Sequence, residues 1–213
     1  MLSPQPVARR KPRRRQVDRS AETRALLTRA TAELLRETGF AGATTALIAK
    51  RAGVTTGALH HHFATKDELL IAVLDENTER VREQLGREEH VTRRGEIDVT
   101  SLVAHLWEVY GDPGYWAIWE INIGTRADPA LHRKVVEHRV WTMQQVLHPW
   151  ITRHILSRDG KPAIIALFEF MLIAIRGLSL ERFLDKEDAY FEQHLSLLAD
   201  MVSRKLASLT AMP

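Results

Sequence analysis

Along the first third of the chain, apolar residues return every three or four positions, the spacing of a helix with one buried face. Leu26, Leu27, Ala30, Leu34 and Leu35 make the first such stripe, with Ser20 as a candidate N-cap and Gly39 as a stop. Thr44 opens a short run through Leu47, Ile48 and Ala52 that Gly53 closes, Thr55 opens another from about Thr56 to Phe63, and Thr65 opens a fourth through Leu69, Leu70, Val73 and Leu74. A threonine before each run suits a helix start, because its hydroxyl accepts one of the first-turn N–H groups that have no intrahelical partner. The same period predicts helices over about 65–85, 98–110, 113–125, 129–156, 161–184 and 187–208, divided by Gly86, "GDPG" at 111–114, Asp128-Pro129 and "SRDGKP" at 157–162. Pro149 is expected to kink or split the segment 129–156. No stretch alternates with period two over a strand's length, so the chain reads as all-α.

Charge divides the chain where the short helices end. Residues 1–66 hold 13 Lys and Arg against 4 Asp and Glu, and the remainder holds 17 against 23, so the formal net charge of +3 hides a basic first third and an acidic rest. The basic part attracts a polyanion that the acidic part would repel. Residues 1–18, rich in Pro and Arg, read as a disordered basic arm, with folding expected to start near Ser20. The absence of cysteine excludes a disulfide framework, a thiol nucleophile and a cysteine zinc site. The longest apolar run, 163–175, falls short of the roughly 18 to 20 residues that span a bilayer, and the N-terminus lacks the apolar stretch of a signal peptide. A cytoplasmic protein with no membrane partner is therefore expected.

Two short helices joined by a turn on glycine are the layout of a helix-turn-helix, whose second helix enters the major groove. At about 100° per residue, Leu59 and Phe63 share one face while Gly57 and His61 point the other way and His60 and His62 lie on the flanks. Three consecutive histidines are badly placed for one metal ion, since helical ligands to one ion normally sit four apart, so no metal site is expected there. Nor does a carboxylate on this helix orient an imidazole for proton chemistry. His61 is best placed to donate to a phosphate or base edge, and His62 is expected to pack at the domain edge.

"TTALIAKRAGVTTGALHHHFATKDELL", 44–70, resembles the DNA-binding domain of the TetR family of transcriptional regulators, through the "IAxxAGV" spacing at 48–54, Leu59, "HF" at 62–63 and Lys66 before "ELL". The resemblance implies that Thr44 or Thr45 opens the first motif helix beside a phosphate, that Thr55, Thr56, Gly57, His60 and His61 face the duplex, and that Lys66 meets the backbone from the N-terminus of the fourth helix. Most members carry tyrosine where this chain has His60, and an imidazole can supply the hydrogen-bond donor in its place. Arg13, Arg14 and Arg15 on the arm are candidates to reach an adjacent minor groove.

One short helix reads few base pairs, so a two-fold dimer on a pseudo-palindrome is expected. The segment 163–184 is apolar nearly all round and 189–209 is amphipathic, which suits a four-helix bundle between subunits; Phe168, Met171, Leu172, Arg176, Leu195, Leu198 and Met201 are the candidate dimer residues. Glu169 and Arg176, seven apart, are candidates to pair. All five tryptophans lie between residues 107 and 150. Aromatics at helical spacing fit plain core as well as a pocket; the resemblance favours an effector pocket, with Trp107, Tyr110, Trp116, Trp119, Asn122 and Trp141 as candidates.

The expected organisation is a basic arm (1–18), a three-helix helix-turn-helix domain (19–66) and an antiparallel helical effector-binding and dimerisation domain (67–213), about nine helices in all. The expected function is a homodimeric DNA-binding regulator, a repressor released from a palindromic operator by a small, largely apolar effector, without cofactor or enzymatic activity. No nucleophile elbow, phosphate loop or His-Glu-x-x-His pattern occurs. The alternative is a non-specific or architectural nucleic-acid-binding protein dominated by the arm.

Overall fold

The computed structural model describes residues 13–91, 96–154, 162–184 and 186–210. They form α1 (Arg13–Gly42), α2 (Thr45–Arg51), α3 (Thr56–His62), α4 (Lys66–Leu85), α5 (Val99–Tyr110), α6 (Trp116–Gly124), α7 (Pro129–Thr142), α8 (His148–His154), α9 (Pro162–Leu180) and α10 (Asp188–Thr210). A π turn over Met143–Leu147 joins α7 to α8 as one bent rod, so the described residues hold nine helical rods; their only β pairing is an isolated bridge between Val91 and Ile97. The π turn has a local cause. Pro149 has no N–H to donate and its ring crowds the carbonyl four residues back, which falls inside the turn.

Each expected threonine cap is present. The hydroxyls of Thr44, Thr55 and Thr65 accept from the N–H groups of Leu47, Ala58 and Glu68 at 3.1 to 3.3 Å. Helix α1 starts at Arg13, before the expected Ser20, so residues 13–18 are helical and not part of an irregular arm. No glycine or proline interrupts the sequence between Arg13 and Gly39, and arginine is a good helix former. At Gly39, with φ 73°, α1 bends sharply before its last residues. Of its apolar stripe, Leu27, Ala30, Leu34 and Leu35 are buried, whereas Leu26 is exposed.

Helix α4 runs out of the small N-terminal helices into the larger part, so the expected boundary at 66/67 lies in its first turn. α1 packs on both α4 and α6, α5 sits between α4 and α10, and α9 packs on α10. Most of the buried apolar side chains join in one cluster, from Leu27 in α1 to Val202 in α10. The segment Pro162–Leu184 is long and apolar enough to cross a membrane by length and composition, which corrects the expectation that no run here reaches that size. One face of it belongs to the core, through Ile164, Phe168, Met171 and Ile175.

Candidate nucleic-acid interface and ligand cavity

The turn between α2 and α3 is built by backbone chemistry. Gly53 N–H donates to the Lys50 carbonyl at 3.2 Å and Val54 N–H to the Ala49 carbonyl at 3.0 Å, which closes the end of α2 in a Schellman arrangement. Gly53 stands at φ 70°, a left-handed conformation that costs a side-chain-bearing residue about 1–2 kcal/mol. Ile48, Ala49, Leu59 and Phe63 are buried beneath the turn with Leu27, Leu35, Leu69 and Leu70. Burying a Leu or Phe side chain is worth roughly 1.5–3 kcal/mol each, so Leu59 and Phe63 fix which way α3 faces.

The opposite side of α3 is open. Thr55, Thr56, Gly57, His60 and His61 are all exposed, and a Cβ at Gly57 would meet only the Thr55 hydroxyl, at 3.9 Å. His62 is half-buried, edge-on to His61 with ring centroids 5.3 Å apart, in keeping with its expected packing role. Its carbonyl accepts from Arg24 at 2.7 Å, and the same guanidinium lies 4.1 Å over the Phe63 ring. Arg24 thus places a cation at the C-terminus of α3 and clamps it to α1, a role that sequence spacing does not reveal. Among the described residues no group of acidic, His or Cys side chains is placed to hold a metal ion.

Of the other expected DNA contacts, Thr44 is exposed and Thr45 half-buried at the start of α2. Arg13, Arg14 and Arg15 fall on the first turn of α1, and their side chains lie outside the described residues. Lys66 departs from expectation. Its ammonium donates to the Phe40 carbonyl at 2.8 Å and lies 4.4 Å over the Phe40 ring, and burial pushes its pKa down. The positive end of α4 therefore fastens the last turn of α1 instead of projecting freely outward. Arg51 is likewise engaged, by Glu33 and Glu37 of α1.

A cavity of about 270 Å³ lies in the larger part, walled by residues of α4 to α7 and α9 with Met143. Of the six expected effector residues only Tyr110 and Asn122 line it. Trp107 packs on Phe191, Trp116 on Phe183, and Trp119 donates to the Ser179 hydroxyl at 3.0 Å, while Trp141 is exposed. Most of the tryptophans are framework, because a large ring on an amphipathic helix serves the nearest core whether or not a cavity adjoins it. The missed lining residues include Tyr115, His138, Arg139, Glu169 and Arg176. Glu169 and Arg176 share the cavity but do not pair: Glu169 bonds His148 at 2.9 Å, and Arg176 Nε donates to the Tyr115 hydroxyl at 3.1 Å.

The expected dimer residues also need correction. Phe168, Met171, Leu172 and Leu198 are buried within their own subunit, Arg176 lines the cavity and Leu195 is half-buried, which leaves only Met201 exposed. The exposed apolar stripe runs instead through Phe170 (52%), Ile173 (60%), Leu180 and Leu184, beside Leu197 (56%) and Met201 (52%) on α10. A helix that is apolar all round does not disclose which of its faces its own subunit covers.

The family model for "Bacterial regulatory proteins, tetR family" matches residues 27–73, the stretch that holds α2, α3 and their anchors. The chain is 30% identical over 189 residues to the HTH-type transcriptional regulator CymR of Pseudomonas putida, spanning 85% of this chain and 89% of that protein. It is 29% identical over 204 residues to an uncharacterized HTH-type transcriptional regulator of Mycobacterium tuberculosis, spanning 91% and 99% of the two. The fold matches a transcriptional regulator from Rhodococcus sp. Rha1 with TM-score 0.65, at 21% identity over 85% of this chain and 96% of that one. It also matches the multidrug binding protein EbrR, solved with malachite green, with TM-score 0.56, at 19% identity over 85% and 96%. With a recognition helix anchored on one side and open on the other, and with relatives aligned along most of its length, this chain belongs to the TetR family of bacterial helix-turn-helix transcriptional regulators and is a DNA-binding regulator.

Proposed function

We propose that the protein is a homodimeric repressor, cytoplasmic, that binds a palindromic operator through α3 of each subunit and leaves it when a small molecule enters the cavity. The observation that carries this reading is one joint. The Phe40 N–H at the base of the DNA-reading head donates to Oε2 of Glu120 at 2.9 Å, and Glu120 stands on α6, which contributes Ile118 and Asn122 to the cavity wall. A ligand that shifts α6 therefore acts on the head through a direct bond, and release follows if it favours the shifted arrangement. The exposed stripe on α9 and α10 supports dimerisation, and a four-helix bundle would bury it. That EbrR was solved with malachite green supports a ligand-taking cavity in this fold.

Two symmetric heads require half-sites about one helical turn, roughly 34 Å, apart or a multiple of it. Selection of bound genomic fragments followed by footprinting tests the reading. A two-fold symmetric footprint that resists random competitor DNA is expected; equal binding to random duplex would instead favour an architectural protein.

A further inference from the structure

Two arginines face the cavity, and neither has a carboxylate partner among the described residues. The Arg139 side chain, on α7, makes no hydrogen bond or ion pair with any of them, and Arg176 of α9 gives its Nε to the Tyr115 hydroxyl, leaving both terminal nitrogens of its fork unassigned. The Tyr110 hydroxyl on the same wall likewise has no partner among the described residues. We propose that the effector is a small organic monoanion, a carboxylate on an apolar body, with the carboxylate held by Arg139 and Arg176 and the body packed between Leu74, Ile118, Val135 and Leu172. This rests on the ligand-release reading above and adds the chemistry of the ligand.

Electrostatics and shape agree. The Arg139 guanidinium is depressed first by desolvation and then by the charge of Arg176, so the two cations repel one another across the site. An anion between them would relieve that repulsion and occupy planar forks that match a carboxylate. The charge balance selects a monoanion over a dianion, because the same wall carries the Glu169 carboxylate, held by His148 at 2.9 Å. Leu74, Ile118, Val135 and Leu172 give the cavity an apolar side among polar residues such as Asn77, Thr78 and Asn122, so the remainder of the ligand gains by burial there and a bare inorganic ion does not. A volume of about 270 Å³ sits at the small end of ligand pockets, roughly 300 to 1,000 Å³, and fits a single ring or a short chain.

The test uses the full-length protein and matched probes: benzoate, phenylacetate and octanoate against benzamide, phenylacetamide and octanamide, with inorganic phosphate as a further arm. Binding is read by thermal shift and by tryptophan fluorescence, since Trp119 lies beside Arg176. At least one carboxylate is expected to bind about ten- to one-hundred-fold more tightly than its amide. Arg139→Gln and Arg176→Gln should each remove most of that preference by weakening the acids far more than the amides. Arg139→Gln keeps the test decisive if the Arg176 variant misfolds, because Arg139 holds no other described residue in place. Amides that bind as well as acids, a preference that survives Arg139→Gln, phosphate that competes as well as the organic acids, or no acid-specific binding up to roughly 10 mM would each overturn the proposal. DNA release is scored separately. A carboxylate that binds without loosening operator DNA sustains the ligand assignment and refutes the release reading; a neutral amide that releases DNA does the reverse.

Discussion

The backbone N–H of Phe40 donates to the Glu120 carboxylate at 2.9 Å while the carbonyl of the same residue accepts from Lys66 at 2.8 Å. One residue at the kinked end of α1 is thus held by α6 on one side and α4 on the other. Its ring also fills the space beside Gly124, where a Cβ would come within 2.1 Å of the ring. The N-terminal head meets the cavity-lining helix α6 through these contacts, and under the proposed function this joint links ligand occupancy to head position.

Glu120→Ala leaves the Phe40 N–H without its partner at a half-buried joint. A stability loss of about 1–3 kcal/mol is expected from the unmet donor. The distinguishing outcome is functional: ligand binding and DNA binding should both persist while the ligand's ability to weaken DNA binding drops. Anisotropy titrations of labelled operator with and without ligand measure this, and an undiminished ligand effect would show that the joint is not the link.

Gly57 has open space around its Cα, so packing does not require a glycine there. Gly57→Ala should leave the melting temperature unchanged or raise it, since alanine is favoured over glycine inside a helix by roughly 1 kcal/mol. Gly57→Leu should fold equally well yet lose operator affinity by at least about ten-fold, because the new side chain stands on the face proposed to meet the bases. Equal affinity in the leucine variant would remove this face of α3 from the interface.

Phe170 and Phe168 lie two positions apart on α9 with opposite surroundings, one 52% exposed and the other fully buried. Phe170→Glu should yield a helical monomer with weakened operator binding, read by sedimentation. Phe168→Ala should instead destabilise each subunit by about 3–5 kcal/mol through the cavity it leaves, without first separating the dimer. A dimer that survives Phe170→Glu and Leu197→Glu together would place the subunit interface elsewhere.

Burial holds the His90 imidazole below its ordinary range, against the opposing effect of its bond to the Gln84 carbonyl. The folded state therefore prefers neutral His90, whereas the unfolded chain takes up the proton near the ordinary value of about 6.5. The stability from this group is complete above that value and declines as pH falls through it. The melting temperature should drop between about pH 7.5 and pH 5.5, and less steeply in His90→Asn. Equal slopes would assign the acid sensitivity to other groups.

The helices were legible because their signals are local. Thr44, Thr55 and Thr65 cap where they stand, Gly53 turns where the backbone needs a positive φ, and Pro149 disturbs its own turn. The outward face of α3 was legible for a related reason: Leu59 and Phe63 are the large apolar residues of that short helix, and burying them leaves Gly57 and His61 one direction to point. The start of α1 at Arg13 was missed because a basic, proline-flanked stretch has the composition of a tail even where no residue breaks the helix.

The chain's order of residues by itself determined an all-helical fold, a helix-turn-helix and the face of α3 that stays open, since caps, glycines and a short amphipathic stripe act within a few residues of themselves. Only the tertiary structure decided which tryptophans were framework, which side of α9 faced outward, that Lys66 turned in to Phe40, and that Arg139 and Arg176 met across one cavity. Those outcomes depend on which helix lies against which, and residues 37 positions apart carry no periodic signal that they will share a wall.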